Sequence, residues 1–175
     1  MKSDDQEAAR PMGRLVTIGV YGFTADAFLQ RLRQAEVGML LDLRQRRGVR
    51  GPEYAWANSL RLQGALEQAG VLYQHHRELA PTTELRHLQY AEDARHGVGR
   101  RNRRALAPEY VRRYTSEVLD LVDLEPILAH LPNQGAAALF CVERDADACH
   151  RSLVAQPLVE QHRLTITHLT PDDHG

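Results

Sequence analysis

AAALFCVERDADACHRSLVA, residues 136–155, passes from an uninterrupted apolar run through a polar segment into a helix-forming segment. Residues 136–142 predict a strand covered on both faces, because strands of a parallel sheet are apolar without alternation. Asp147 is a suitable N-cap for the following helix, which would place Cys149 and His150 in its first turn. Ligands of α/β folds gather beyond the carboxyl ends of strands, where helix N-termini present free N–H groups. A functional site is therefore expected where this strand joins this helix.

Four further apolar segments predict strands of the same sheet: residues 15–20, 37–43, 71–75 and 164–169. The last of them alternates threonine and histidine, which is typical of a sheet edge. Helical segments lie between the strands, and Thr24, Ser59 and Pro108 are placed to begin three of these helices. Pro157 is expected to end or kink the last helix after Ala155. The alternation predicts an α/β three-layer sandwich with a mainly parallel, roughly five-stranded sheet and Rossmann-like layering, without specifying the strand order.

The length of 175 residues fits a single domain with a substantial core. Residues 1–11 are polar and aperiodic, which predicts a flexible N-terminal tail before a domain that spans residues 12–175. The chain shows no apolar leader and no apolar run of about 20 residues, and it has two cysteines. These features favour a reduced, cytoplasmic setting without membrane contact, and a disulfide between Cys141 and Cys149 is the less favoured alternative. The oligomeric state does not follow from the composition.

The basic residues are almost all arginine, because Lys2 is the single lysine among the 22 basic residues. The formal net charge of -1 gives no overall attraction to nucleic acid. Codon usage in a GC-rich genome explains the arginines, but arginine also binds phosphate in a bidentate manner. Two segments concentrate arginine, QRRGVRGP at residues 45–52 and RRNRR at residues 100–104, and Tyr54 and Trp56 after the first would offer a stacking surface. Solvated loops are the alternative, favoured for residues 100–104.

Polar side chains follow three of the predicted strands and begin the last helix, so one rim collects carboxylates, guanidinium groups, an imidazole and a thiol. Structural ion pairs, for example Arg44 with Glu143, are the alternative interpretation of the same charges. The candidate catalytic residues are Glu143, His150, Glu78 and Cys149. The candidate ligand-binding residues are Arg44, Arg151, Asp42, Arg47 and Arg50.

Cys149 lies near a predicted helix N-terminus, where the helix dipole and nearby arginines would lower the pKa of the thiol and favour a nucleophilic thiolate. The alternative is a small apolar side chain that packs the first turn. Cys141 falls within the predicted strand and is expected in the core. A metal site formed by Cys141, Glu143, Cys149 and His150 is a less favoured alternative, because the spacing matches no zinc-binding pattern and Cys141 is expected within the strand. Neither a metal nor a cofactor is therefore expected.

Together these motifs resemble the domain-of-unknown-function 488 family, with an order and spacing that cover about residues 16–158. The motifs that carry the resemblance are Thr17-Ile18-Gly19, Asp42-Leu43-Arg44, Arg77-Glu78-Leu79, Cys141-Val142-Glu143 and Cys149-His150-Arg151. The resemblance implies a compact cytoplasmic α/β domain of prokaryotic type with no settled activity. The family's motif positions fall on Arg44, Glu78, Glu143, Cys149, His150 and Arg151. The chain departs from the family at Val20-Tyr21, at residues 45–52 and at Ala80-Pro81, which suggests a subgroup with a different ligand.

The leading hypothesis is an enzyme, or a former enzyme, that acts on a phosphate-bearing ligand such as a nucleotide or nucleic acid. Arg44 and Arg151 would hold the anion, Glu143 would be the general base, and His150 or Glu78 would be its acid partner. A non-catalytic module that binds nucleic acid or a partner through the arginine-rich segments is the first alternative. Thiol chemistry at Cys149 is the second.

Overall fold

A computed structural model describes residues 13–171, and the predicted tail at residues 1–11 lies outside the described residues. Five strands form one sheet in the order β3-β2-β4-β1-β5, and every neighbouring pair is parallel. The strands are β1 Arg14–Ile18, β2 Val37–Asp42, β3 Leu72–His75, β4 Ala136–Phe140 and β5 Thr165–His168. The helices are α1 Ala25–Gln34, α2 Ser59–Gln68, α3 Thr83–Arg95, α4 Pro108–Glu117, α5 Glu125–Ala129 and α6 His150–His162.

The helices cover both faces of the sheet, which confirms the predicted three-layer α/β sandwich. On one face, α1 and α2 bury Phe28 and Leu66 against Phe140 of β4. On the opposite face, α3 to α6 form a second apolar core that contains Tyr114 and Leu158. The last strand lies at a sheet edge, as its alternating sequence predicts. In the described part of the chain, no helix is both long enough and apolar enough to cross a membrane.

The central strand ends earlier than predicted. β4 stops at Phe140, although the Cys141 N–H still donates to the Ile18 carbonyl oxygen at 3.3 Å. Cys141 therefore lies beyond the carboxyl end of the strand and not in its middle.

The prediction that Asp147 caps the last helix is also wrong, because α6 begins at His150 after a short 3-10 turn at Ala146–Ala148. Cys149 occupies the N-cap position with an extended backbone.

Two other predicted helix boundaries are wrong for identifiable reasons. Of the two outcomes expected at Pro157, the end of the helix is wrong, because α6 continues to His162. A proline removes one helical hydrogen bond, and burial of Val154, Ala155 and Leu158 on the sheet offsets that loss. Ser59 is the first residue of α2 and not its cap. The preceding residue, Asn58, holds the cap position, but its side chain accepts from the Val49 N–H at 2.8 Å and so fixes the loop before the helix.

The strand order places a crevice beside β4. The chain leaves β2 towards α2 on one face of the sheet and leaves β4 towards α6 on the other face. The two strands are neighbours, but the connections that follow them run to opposite faces of the sheet. Ligand crevices of open parallel sheets form where neighbouring connections diverge in this way. The segments that follow β2 and β4 therefore face one another across this crevice.

Gly19 packs against the backbone of the segment that follows β4, and a substitution there tests this contact. A Cβ atom at Gly19 would lie 1.9 Å from the Glu143 carbonyl oxygen. We expect Gly19→Ala to lower the free energy of unfolding by about 1–3 kcal/mol in urea denaturation, because two backbones must move apart. Gly64→Ala in α2, where a Cβ meets nothing within 4 Å, should instead raise it by about 0.5–1 kcal/mol. Equal effects at both glycines would contradict this packing.

Candidate functional site

A cavity of about 950 Å³ lies at the carboxyl ends of β2 and β4. Its wall combines the arginine-rich loop after β2, one side of α3, the segment around residues 99–103 and the segment from Cys141 to His150. Seven arginines line the wall: Arg44, Arg46, Arg50, Arg86, Arg100, Arg101 and Arg103. Glu143 is the single acidic lining residue in the described part of the chain. The wall therefore has an excess of positive side chains, although the whole chain is nearly neutral and carboxylates behind the wall pair with Arg44 and Arg103.

The cavity brings together five of the nine residues singled out from the sequence. They are Arg44, Arg50, Glu143, Cys149 and His150. The other four residues, Asp42, Arg47, Glu78 and Arg151, do not line it. Whether a side chain lines the cavity depends on how deeply it is buried and on which groups of the protein it contacts.

Arg44, which lines the cavity, forms a buried ion pair with Asp42, which does not. Arg44 Nε donates to Asp42 Oδ1 and Nη2 donates to Oδ2, each at 2.9 Å, and Nη1 donates to the Ala57 carbonyl oxygen at 2.8 Å. Asp42 also accepts from the Tyr73 hydroxyl at 2.6 Å. The guanidinium plane lies 4.7 Å from the centre of the Phe140 ring. Asp42 thus orients Arg44, and most of the Arg44 donors are already satisfied by the protein.

Arg151 is fully buried, and its guanidinium group donates hydrogen bonds to backbone carbonyl oxygens. Its Nη1 donates to the Glu143 carbonyl oxygen at 2.6 Å, and its Nη2 donates to the Arg144 carbonyl oxygen at 3.0 Å. These bonds satisfy two carbonyl groups that lie past the end of β4. The sequence expectation that Arg151 holds an anion does not match this placement, because the guanidinium lies behind the segment that carries Glu143 and outside the cavity wall.

Glu78 and Arg47 also have partners away from the cavity. Glu78 is half exposed and pairs with His76 at 2.7 Å. Arg47 Nη1 donates to the Tyr73 hydroxyl at 3.4 Å. The third strand ends at the sheet edge, next to β2 and not next to β4, so the residues that follow it lie one strand farther from the crevice. The sequence could not show this, because it does not specify the strand order.

Glu143 is held at the cavity wall by two arginines from the segment expected to be a solvated loop. Arg100 Nε donates to Glu143 Oε1 at 3.0 Å, and Arg103 Nη1 lies 3.4 Å from the same oxygen. Arg103 is buried and forms a bidentate pair with Asp93 of α3 at 2.5–3.0 Å. The interpretation of residues 100–104 as solvated is therefore wrong for Arg100 and Arg103. Glu143 raises the pKa of Arg100 against the opposing effect of burial.

The sequence carried one signal for this network. Leu85, Gln89 and Asp93 are spaced four residues apart and share one face of α3, and all three are buried. Gln89 bridges the network, because its Nε2 donates to Asp93 Oδ1 at 2.8 Å and its Oε1 accepts from the Ala107 N–H at 2.9 Å. Gln89 and Asp93 continue the apolar face of α3, so they are expected to be buried. Because buried polar groups are hydrogen-bonded, they predict a buried polar partner, which here is Arg103.

Two cysteines and a histidine form the floor of the cavity. His150 Nδ1 lies 3.7 Å from Cys149 Sγ and 3.8 Å from Cys141 Sγ. His150 Nε2 lies 2.9 Å from the Leu43 carbonyl oxygen, which can only accept, so Nε2 carries a hydrogen. Cys141 Sγ also lies 3.6 Å from Glu143 Oε2. Cys141 lies in the apolar core, as expected from the sequence, and it also lines the cavity floor because β4 ends before it.

Burial and neighbouring charges act in opposite directions on this cluster. Burial raises the pKa of the Cys149 thiol, but a hydrogen bond from Cys141 and the charges of His150 and Arg151 outweigh it and place the pKa well below its usual range. Burial also raises the pKa of Cys141, and the neighbouring Cys149 raises it further. Burial lowers the pKa of His150, whereas Cys149 raises it, with a net increase. Thiol chemistry at Cys149 stays a prediction.

The expected stacking surface is not part of the wall. Trp56 packs against Phe28 of the core with ring centres 4.8 Å apart. The Tyr54 hydroxyl accepts from the Gly22 N–H at 3.0 Å. The wall contains Tyr21 and Tyr90 instead. The sequence placed the aromatic side chains correctly after the arginine-rich loop, but the short 3-10 helix Pro52–Ala57 turns them towards the core.

The fold and the cavity define a three-layer α/β protein with a positive, thiol-containing crevice at the carboxyl edge of its sheet. The chain belongs to the family described as Domain of unknown function DUF488, whose model matches residues 24–158. This match confirms the resemblance carried by the sequence motifs. Comparison with curated proteins and with solved structures gives no significant match.

A substitution of Asp42 tests whether the buried Asp42–Arg44 pair stabilises the cavity wall. We expect Asp42→Ala to lower the free energy of unfolding by about 3–5 kcal/mol, because it leaves a buried guanidinium without its carboxylate. Urea denaturation followed by circular dichroism measures this change. Glu117→Ala removes the carboxylate of an exposed pair with Arg113 and should have little effect. A small effect of Asp42→Ala would show that Arg44 is not buried as described.

Proposed function

We propose that the protein binds a phosphate-bearing ligand of nucleotide size in the arginine-lined cavity. The observation that carries the proposal is the composition of the wall, where seven arginines and one carboxylate surround a single cavity. Guanidinium groups gathered at this density repel one another unless an anion lies between them. They bind phosphate oxygens through short, charge-assisted hydrogen bonds.

The arginines of the wall divide into two groups. Five have acceptors within the protein. Arg44, Arg100, Arg101 and Arg103 donate to carboxylates, and Arg86 donates to Gln45 Oε1 and to the Tyr90 hydroxyl oxygen. In contrast, Arg46 and Arg50 are exposed, and their guanidinium groups have no acceptor among residues 13–171. The first group builds the wall, and the second group is available to a ligand.

Tyr90 allows several of these cations to lie close together. Its ring centre lies 5.8–5.9 Å from the guanidinium carbons of Arg86, Arg100 and Arg103. The negative face of an aromatic ring attracts cations at such distances. The positive wall is thus stabilised before any ligand binds, which supports a preformed anion site.

The cavity volume favours a nucleotide over a simple ion. About 950 Å³ lies at the upper end of the range of about 300–1,000 Å³ for small-molecule pockets. Glu143 and His150 of the wall supply a carboxylate and an imidazole for hydrolytic or transfer chemistry on such a ligand. Glu78, the other acid candidate, lies outside the wall, so the proposal does not include it.

We test the proposal with a fluorescent ATP analogue and the variant Arg46→Ala/Arg50→Ala. The double variant should bind the analogue at least tenfold more weakly, because a hydrogen bond to a charged group contributes about 1.5–3 kcal/mol. Binding to the unchanged protein should weaken with added salt. Fluorescence anisotropy at several salt concentrations measures both effects.

Arg33→Ala/Arg61→Ala is the matched control, since it removes the same charge from exposed positions on α1 and α2. This control should bind the analogue like the unchanged protein. Equal losses in both double variants, or no binding of the analogue, would contradict the proposal. A single-stranded oligonucleotide that binds more tightly as its length increases would point to nucleic acid as the phosphate-bearing ligand.

A further inference from the structure

We infer that Cys141, Cys149 and His150 bind one zinc ion at the floor of the cavity. Cys141 follows β4, and the other two residues begin α6, so the end of the central strand and the start of the last helix supply the site together. All three residues are buried, and their Sγ and Nδ1 atoms lie within 4.8 Å of one another. The inference goes beyond anion binding and does not depend on it.

The distances between the donor atoms fit a tetrahedral ion. Zinc lies about 2.3 Å from sulfur and about 2.0–2.1 Å from nitrogen, so a tetrahedral site has a sulfur–nitrogen edge of about 3.6 Å. His150 Nδ1 lies 3.7 Å from Cys149 Sγ and 3.8 Å from Cys141 Sγ. A small movement of the side chains is therefore enough to place all three donors at zinc-binding distance.

The orientation of His150 is that of a metal ligand. Its Nε2–H donates to the Leu43 carbonyl oxygen, so Nδ1 faces both sulfur atoms and, in the neutral ring, would direct its lone pair towards them. Metal-binding histidines commonly donate their second ring N–H to a carbonyl or carboxylate oxygen, which fixes the ring. The structure already provides this outer partner without any ion.

The donor set selects the class of metal. Two thiolates and an imidazole suit zinc, whereas magnesium and calcium prefer oxygen donors. Two thiolates also neutralise the ion, so zinc adds no charge to a wall that is already rich in arginine. The cysteines are eight residues apart and not paired as in known zinc motifs, which is why the sequence disfavoured a metal site at these residues.

All three donor residues line the cavity, so the fourth coordination position of an ion bound here would be open to it. Three protein ligands with one open position are typical of catalytic zinc sites and not of structural ones. Glu143 lies beside this position, because Oε1 is held by Arg100 and Oε2 lies 3.6 Å from Cys141 Sγ. An ion bound here removes His150 from the acid–base candidates and leaves Glu143 beside a metal-bound water or ligand oxygen.

The test uses the full chain, stripped of metal with a chelator and titrated with Co²⁺ as a coloured substitute for Zn²⁺. We expect saturation at one equivalent, with a near-ultraviolet sulfur-to-cobalt charge-transfer band and the visible bands of tetrahedral cobalt. Added Zn²⁺ should abolish both. Cys141→Ser and Cys149→Ser should each weaken binding by more than about a hundredfold, since even the loss of an outer partner weakens it about 10–100-fold.

His96→Ala, which removes an exposed histidine paired with Glu92, is the control and should bind cobalt like the unchanged protein. Absence of the sulfur-to-cobalt band from the unchanged protein at one equivalent would overturn the inference, whether or not the serine variants fold. Cobalt binding by Cys141→Ser that equals the unchanged protein would also overturn it. Binding of the ATP analogue to metal-free protein tests the arginine wall separately, so either proposal can fail alone.

Discussion

A buried guanidinium group needs acceptors, since an unpaired charge in the protein interior is strongly unfavourable. This protein buries Arg44, Arg103 and Arg151 around the carboxyl ends of its central strands. Arg44 and Arg103 are paired with carboxylates, and Arg151 donates to two backbone carbonyl groups. The same pairs fix the loops that follow β2 and β4. The shape of the cavity therefore depends on how these three cations are satisfied.

The acceptors of each arginine distinguish the arginines that stabilise the cavity wall from those that can bind a ligand. The distinction matters because almost all basic residues of the chain are arginine. The buried arginines donate to acceptors within the protein and so support the wall, although Arg151 Nε has no hydrogen-bond partner among the described residues. Arg46 and Arg50 lie on the open side of the same wall and lack such acceptors in the described range of residues 13–171. Below them, the sulfur and imidazole donors lie at the deepest point, next to Glu143.

The fold was largely predictable, because apolar strands and amphipathic helices alternate along the chain and Thr24 caps its helix as expected. The site was predictable only in part. Glu143 and His150 follow the central strand, so any strand order brings them to the rim. Glu78 and Arg151 were misplaced because strand order and side-chain burial are tertiary properties. The buried position of Arg103 was not predicted, because its partner Asp93 lies on a different element, where only the polar residues of α3 indicated a buried partner.

The most direct measurement is X-ray diffraction from crystals soaked in tungstate, a tetrahedral oxyanion whose anomalous scattering locates it without ambiguity. The central claim is that distant segments converge on one preformed anion-binding cavity. It predicts a tungstate peak inside this cavity, within hydrogen-bonding distance of Arg46 or Arg50, with Glu143 still bound to Arg100. Tungstate found only on other surfaces, or Glu143 turned away from Arg100 towards solvent, would contradict it.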